Sequence, residues 1–414
     1  MKEIICLGLL LSAPAAGNAA RPVPQFELQI KPINLEEPRF VVSGSIQYCA
    51  DTGEKVFFYV PKGSAFNFTR NGAAIDVASK KGVDWPCDRS DPESAPITFE
   101  GTSPTITGKC GASHQEIYCR NNSIPNPEVL APWSRYRIQF DLPEGYDALS
   151  PDPSIQLNNG IEFQIAEFSP PQFRETERMM FEYRFPKGFS PEKKYLDFIE
   201  ATLERYLDRF GALPFQKLKV GAIRRGEDTG EISGSPAGNL ILFSRSTFAG
   251  NTSGANLGSI GIHRDASDAL RKLVIAHELS HFWFGTNFTG KDGWMVEGIP
   301  NYLGLVAVGK DSAEDYADIR KYFKYMAAQG PKDAIADQPF GGGPLYFKAY
   351  FQGPLALAEL GEVVGHDEIV ELITGVYQKN NNPSFVDFDR AFKQVFPSQS
   401  ALWDRSWRIT ASPQ

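Results

Sequence analysis

Residues 277–281 read His277-Glu278-Leu279-Ser280-His281, and these five positions decide how the rest of the chain is read. The chain has five histidines in 414 residues, and chance predicts on the order of 0.004 matches to H-E-x-x-H in such a sequence. On an α-helix, positions i and i+4 differ by about 40° in azimuth and by roughly 6 Å along the axis, so both imidazoles face one side. That arrangement lets two ring nitrogens bind one tetrahedral metal. Glu278 lies beside them, placed to take a proton from a water on that metal.

The flanking residues predict the helix. Ser267 or Asp268 can cap it, Leu270, Leu273, Val274 and Leu279 supply an apolar face, and Gly285 can end it. Two histidines in an apolar core helix with an incidental glutamate is the bland alternative, but an unpaired charged Glu in that setting is costly. A two-histidine site needs a third protein ligand and an open position for water. Downstream, Glu297 begins a further apolar pattern (Ile299, Tyr302, Leu303, Val306) and can offer its carboxylate to the metal. As a first-turn acid it would also suit the helix dipole. Asp292 can either orient a ligand imidazole through its second nitrogen or cap a loop.

Outside this stretch, 42 Lys+Arg against 50 Asp+Glu give a net charge of −8. The acidic sum argues against nucleic acid or an anionic membrane as the main partner. From Pro22 to about Tyr183 the chain alternates apolar and polar residues between Gly, Pro and Asn breaks, as in Phe26–Ile30, Val56–Val60 and Tyr136–Phe140. This predicts an antiparallel β-sandwich or open sheet over residues 21–185. After Ser190-Pro191-Glu192 the period becomes helical as far as Gly211. Strands are expected at 217–223 and 239–243, a Gly/Ser/Thr/Asn-rich loop at 244–266, and helices beyond, so the fold class is α+β with a mostly helical part at 186–414.

Residues 1–20 read as an export signal. Lys2 precedes the apolar run Ile4 to Leu11, and small residues lead to a cut near Ala19 or Ala20. The mature protein is then expected in the periplasm or secreted, without a membrane span. With Cys6 removed, Cys49, Cys87, Cys110 and Cys119 remain, an even set suited to two disulfides in an oxidising compartment, with three possible pairings. A four-cysteine zinc site is the rival, and no C-x-x-C spacing supports it. His114, His263 and His366 read as structural, loop and cap or surface groups.

The stretch from His277 to Gly285, followed by Asp292-Gly293-Trp294-Met295-Val296-Glu297-Gly298, resembles the aminopeptidase N-like (membrane alanyl aminopeptidase) family of gluzincin zinc metallopeptidases. The resemblance covers about residues 190–400. Fifteen residues separate His281 from Glu297 where the family pattern has eighteen, but the D-x-W-x-x-E-G anchor matches. Tyr350-Phe351-Gln352-Gly353 resembles the family's Y-x-x-G stretch. The resemblance implies a thermolysin-like domain, one Zn²⁺ held by His277, His281 and Glu297, a peptide substrate, Glu278 as general base, and Tyr350 as hydrogen-bond donor to the transition state. It further implies a short form without the family's large C-terminal helical domain.

One departure matters for specificity. The family's Gly-Ala-Met-Glu-Asn strand holds the substrate amine through its Glu, whereas Gly238 is expected at that place here, with the backbone of Ala237, Gly238 and Asn239 running beside the peptide. Aminopeptidase action therefore stays open against endopeptidase or dipeptide-releasing action. A non-catalytic peptide-binding protein on the same fold would be expected to carry a broken motif, and this one is intact.

Overall fold

In Gln25–Pro32 the apolar residues Phe26, Leu28 and Ile30 are buried while their sequence neighbours are exposed, as a half-buried strand requires. The computed structural model describes residues 25–36, 39–47, 55–56, 58–59, 65–76, 83–84, 96–102, 110–113, 116–119, 126–127, 134–153, 155–157, 162–224, 232–249, 266–284, 294–330, 346–380 and 383–407. The first strand lies inside a seven-stranded sheet, in the order 156–157, 134–140, 25–32, 40–47, 97–102, 65–70, 73–74. A four-stranded sheet (147–149, 163–166, 116–119, 110–113) contributes Ile117, Phe163 and Ile165 to the same apolar core. The sandwich expected from the alternation is present, with one correction to its antiparallel reading. Residues 25–30 and 135–140 pair in parallel, because the second of these strands returns from far along the chain rather than through a hairpin.

A third sheet underlies the helical part. Its order is 172–175, 180–184, 217–223, 240–244, 236–237, and its three central strands are parallel. Helix α1 (Lys193–Phe210) is the crossover between 180–184 and 217–223. Residues 172–184, read from sequence as the end of the β region, thus pair with strands of the helical part. Helix α1 buries Tyr195, Leu196, Phe198, Ile199, Leu203 and Tyr206, and ends at Gly211, whose φ of 94° favours glycine. Buried polar groups tie the β region to this sheet: Gln164 Nε2 donates to Ala222 O at 2.7 Å and to Glu116 Oε1 at 3.0 Å. Burial pushes the Glu116 carboxyl up, with the nearby Arg245 charge pulling the other way.

The helices that follow are α2 (Arg245–Phe248), α3 (Ala266–Ser280), α4 (Trp294–Asp311) and α5 (Ala313–Gln329). A π-helical turn (Lys348–Gln352) then leads into α6 (Gly353–Val364), followed by α7 (His366–Lys379), α8 (Phe385–Val395) and α9 (Ser400–Trp407). Ser312 caps α5 by accepting from the Asp315 amide, and Ser384 and Asp387 form a reciprocal capping box on α8. Helices α3 and α4 pack closely because Gly304 has no side chain. A Cβ there would stand 3.0 Å from Leu273 O and 3.1 Å from His277 N. That close approach brings Glu297 against the histidines of α3.

Among the described residues no helix is long and apolar enough to cross a membrane. Cys119 is fully buried and disulfide-bonded, and Cys110 is its register partner on the neighbouring strand. Cys49 and Cys87 lie outside the described residues, as do His114, His263 and Asp292. His366, read from sequence as a cap or surface group, is the first residue of α7 and sits between two tyrosines: its ring nitrogens lie 3.1 Å from the hydroxyls of Tyr302 and Tyr316.

Candidate metal centre

Helix α3 carries His277 on its last turn, and His281 follows on a tightened turn in which the His281 amide reaches Glu278 O. Leu273, Ile275, Ala276 and Leu279 around them are buried, which holds the helix end rigidly against its neighbours. Tyr206 of α1 donates to Ala276 O at 3.2 Å, satisfying a carbonyl one residue before His277. Both histidines are themselves buried.

Three of the residues singled out in the sequence converge. His277, His281 and Glu297 offer one ligand atom each, all within 4.8 Å of one another. The separations are 3.0 Å between the two Nε2 atoms, 3.2 Å from His277 Nε2 to Glu297 Oε2, and 3.6 Å from His281 Nε2 to the same oxygen. Ligands bound tetrahedrally at about 2.0–2.1 Å lie roughly 3.3–3.4 Å apart, so these three edges straddle the distance one zinc-sized cation needs. The donor set of two imidazole nitrogens and a carboxylate oxygen fits that metal chemically as well.

The surroundings prepare the same atoms. The Phe284 carbonyl, 3.1 Å from His281 Nδ1, can only accept, so Nδ1 carries the hydrogen and Nε2 is left to face the cluster. Burial by itself would lower the His281 pKa, but the Glu297 hydrogen bond, the Glu297 and Glu278 charges and the Phe284 carbonyl outweigh it and push it up to about 9. For Glu297, burial acts upward and is overcome by the two histidines, which hold the carboxyl well below the usual range. A site that favours positive charge this strongly favours a bound cation for the same reason.

Glu278 is half-buried beside the ligands, and among the described residues its carboxylate makes no hydrogen bond or ion pair. Tyr350 stands on the other side: its ring stacks on His277 with centroids 6.3 Å apart at 23°. Burial raises its phenol, and the Glu297 and Glu278 charges raise it further, so the hydroxyl stays protonated as a donor. Tyr350 lies in the π-helical turn, a local insertion that re-aims a side chain. Asn301, one turn beyond Glu297, donates to Tyr350 O at 3.4 Å.

The substrate-facing residues expected at 237–239 need correction. Gly238 and Asn239 form the two-residue turn of a hairpin in which Ala237 pairs with Leu240. Gly238 has φ 60°, and Ala237 is buried. The Asn239 side chain is fully buried and committed to structure, donating to Asp152 and to Lys217 O and accepting from the Asp152 amide. The segment that reaches the centre is Ser233–Ser235, which continues the edge strand by backbone bonds to Leu242 and Ser244. Gly234 is its closest approach: a Cβ there would meet Glu278 Cγ at 2.6 Å.

Solved structures share this architecture. A zinc metallopeptidase of the M1 group from Deinococcus radiodurans superposes with a TM-score of 0.66 at 14% identity, covering 94% of this chain and 95% of that one. A mutant of an M1 zinc metallopeptidase from the same organism, bound to a Tyr-Ser-Ala substrate, matches with a TM-score of 0.64 at 14% identity and the same coverage. A two-domain M1 zinc metallopeptidase mutant bound to L-tryptophan also matches at 0.64 and 14%, again over 94% and 95% of the two chains. At this identity the likeness is one of fold. No family model and no curated protein sequence matches the chain.

Sequence reading did not find Gly234, Phe284, Asn301 or Tyr206. A signal for the first was present, since Gly238-Asn239 between apolar runs is a hairpin dipeptide and fixes the register that sets Gly234 opposite Phe243. For the others, contacts across the fold carry the information, and no local pattern does.

Proposed function

We propose that the protein is a zinc-dependent peptidase, with His277, His281 and Glu297 as the metal ligands. The observation that carries this reading is the three-donor cluster at tetrahedral spacing, with an unpaired carboxylate, Glu278, beside it. Zinc, when bound, supplies Lewis-acid charge that polarises a peptide carbonyl and makes water acidic enough to attack near neutral pH. Glu278 takes the proton of the attacking water and passes it to the leaving amine. Tyr350 keeps its proton and donates a hydrogen bond to the developing oxyanion. The peptide lies along Ser233–Ser235, the segment nearest Glu278, and Gly234 keeps the space over Glu278 clear.

Aminopeptidase-like action on small peptides is the preferred mode, in line with the tripeptide bound by the mutant neighbour. Endopeptidase or dipeptide-releasing action is the second reading, favoured by one observation: the residue facing Glu278 on the edge strand is a glycine and offers no carboxylate to a free amine. Export to the periplasm or outside the cell completes the proposal. It is supported by the signal-like residues 1–20 and by a disulfide-bonded Cys119. Facing across two paired strands, Cys110 is its proposed partner, which leaves Cys49 with Cys87.

The test is hydrolysis of a mixed peptide library by the purified protein before and after chelation. Activity that disappears with the metal and returns with added zinc is expected; undiminished cleavage in chelator contradicts the proposal. Paired free and N-acetylated substrates then separate the two modes, since an aminopeptidase cleaves only the free form.

A further inference from the structure

Away from the metal centre, α1, α4 and α7 enclose a cleft of about 190 Å³. Its floor is apolar, formed by Tyr206, Leu303 and Ala307 among others, while Arg205, Arg209 and Lys310 stand at its rim. Sites for drug-sized ligands run to roughly 300–1,000 Å³, so this one suits a smaller molecule.

The charges at the rim do not cancel. Lys310 is paired with Asp367 at 2.8 Å. Arg209 bonds the Asp367 backbone carbonyl and lies 3.4 Å from Glu371. Arg205 is different: its terminal nitrogen donates to Thr202 Oγ1 at 3.1 Å, and among the described residues it has no acidic partner and its buried Nε has no acceptor. Arg205 and Arg209 are also four residues apart on one helix face, a like-charge pair that an anion would relieve. A planar guanidinium with free donors beside an apolar floor matches a carboxylate carrying an apolar tail.

We infer that this cleft is a binding site for a small amphiphilic monocarboxylate, its carboxylate held by Arg205 and its apolar body lying on Tyr206, Leu303 and Ala307. The site is separate from the metal centre and does not depend on the peptidase reading. Its floor nevertheless includes Tyr206, the residue whose hydroxyl anchors the end of α3.

The test is calorimetric titration of the zinc-loaded protein with octanoate, with octanol as the uncharged control. Octanoate is expected to bind, and octanol to bind at least about tenfold more weakly, since a hydrogen bond to a charged group contributes about 1.5–3 kcal/mol. Arg205→Gln should weaken octanoate by at least about tenfold, and Ala307→Leu, which fills the floor, should abolish binding. Arg205 is only half-buried, so Arg205→Gln decides the matter even if Ala307→Leu unfolds. No octanoate binding overturns the inference. So does binding that Arg205→Gln leaves unchanged, which would mean a carboxylate taken up at the metal instead.

Discussion

The seven-stranded sheet and the metal centre both contain acids beside bases, yet the two regions use them oppositely. On the sheet, Arg137 and Glu27 lie 3.1 Å apart with side chains 69% and 66% exposed. Water already stabilises both charges, so the pair is worth about 0–1 kcal/mol. At the centre, His277 and His281 are 6% and 8% exposed and crowd one carboxylate. There the charges are kept from water and depend on each other and on whatever cation joins them. Burial, more than residue type, separates decoration from function.

The comparison is broken most strongly by removing a charge from the buried set. Glu297→Ala should lower bound zinc well below one per chain and peptide hydrolysis by about a thousandfold or more, read by metal analysis and initial rates. Gly234→Val comes next. Its side chain would occupy the space of Glu278 Cγ, so hydrolysis should fall by about a hundredfold through misplacement of the base, with zinc retained. An unchanged rate would remove Gly234 from the site.

Asp152 lies between the two extremes. Burial acts to raise its carboxyl, but the hydrogen bonds and charges of Lys219, the Asn239 amide and Lys217 win and lower it below 3.8. A carboxylate with a depressed folded pKa stabilises the protein above its unfolded pKa and loses that contribution as pH falls through the folded value. Thermal unfolding of Asp152→Asn should therefore show a deficit near pH 6 that closes as pH falls below about 4. The smallest effect belongs to the sheet: Arg137→Ala should change stability by no more than about 0.5 kcal/mol in denaturant unfolding and leave hydrolysis unchanged.

These contrasts also explain what could be read in advance. His277, Glu278 and His281 lie within one helical turn, so a local period carries their geometry, and the first-turn position of Glu297 is equally local. The sandwich was visible because strands such as Gln25–Pro32 alternate strictly. Its parallel pair was not, because residues 25–32 and 134–140 are joined by no short-range signal. The role of the Asn239 side chain was hidden for a related reason: only its backbone was read as lying beside a peptide, and its side-chain partner Asp152 is 87 residues away. Tyr350 entered through a family resemblance, and the packing of its ring on His277 across the fold supplies the physical ground that its neighbours in sequence lack.

The most direct test of the zinc peptidase reading is Glu278→Gln, measured for bound zinc and for peptide hydrolysis in the same preparation. The substitution keeps the side chain's shape and touches none of the three ligands. The expected result is one zinc per chain with hydrolysis reduced by at least about a hundredfold, the scale of a lost general base. Full zinc with substantial hydrolysis would contradict the account, because another group would then be handling the proton.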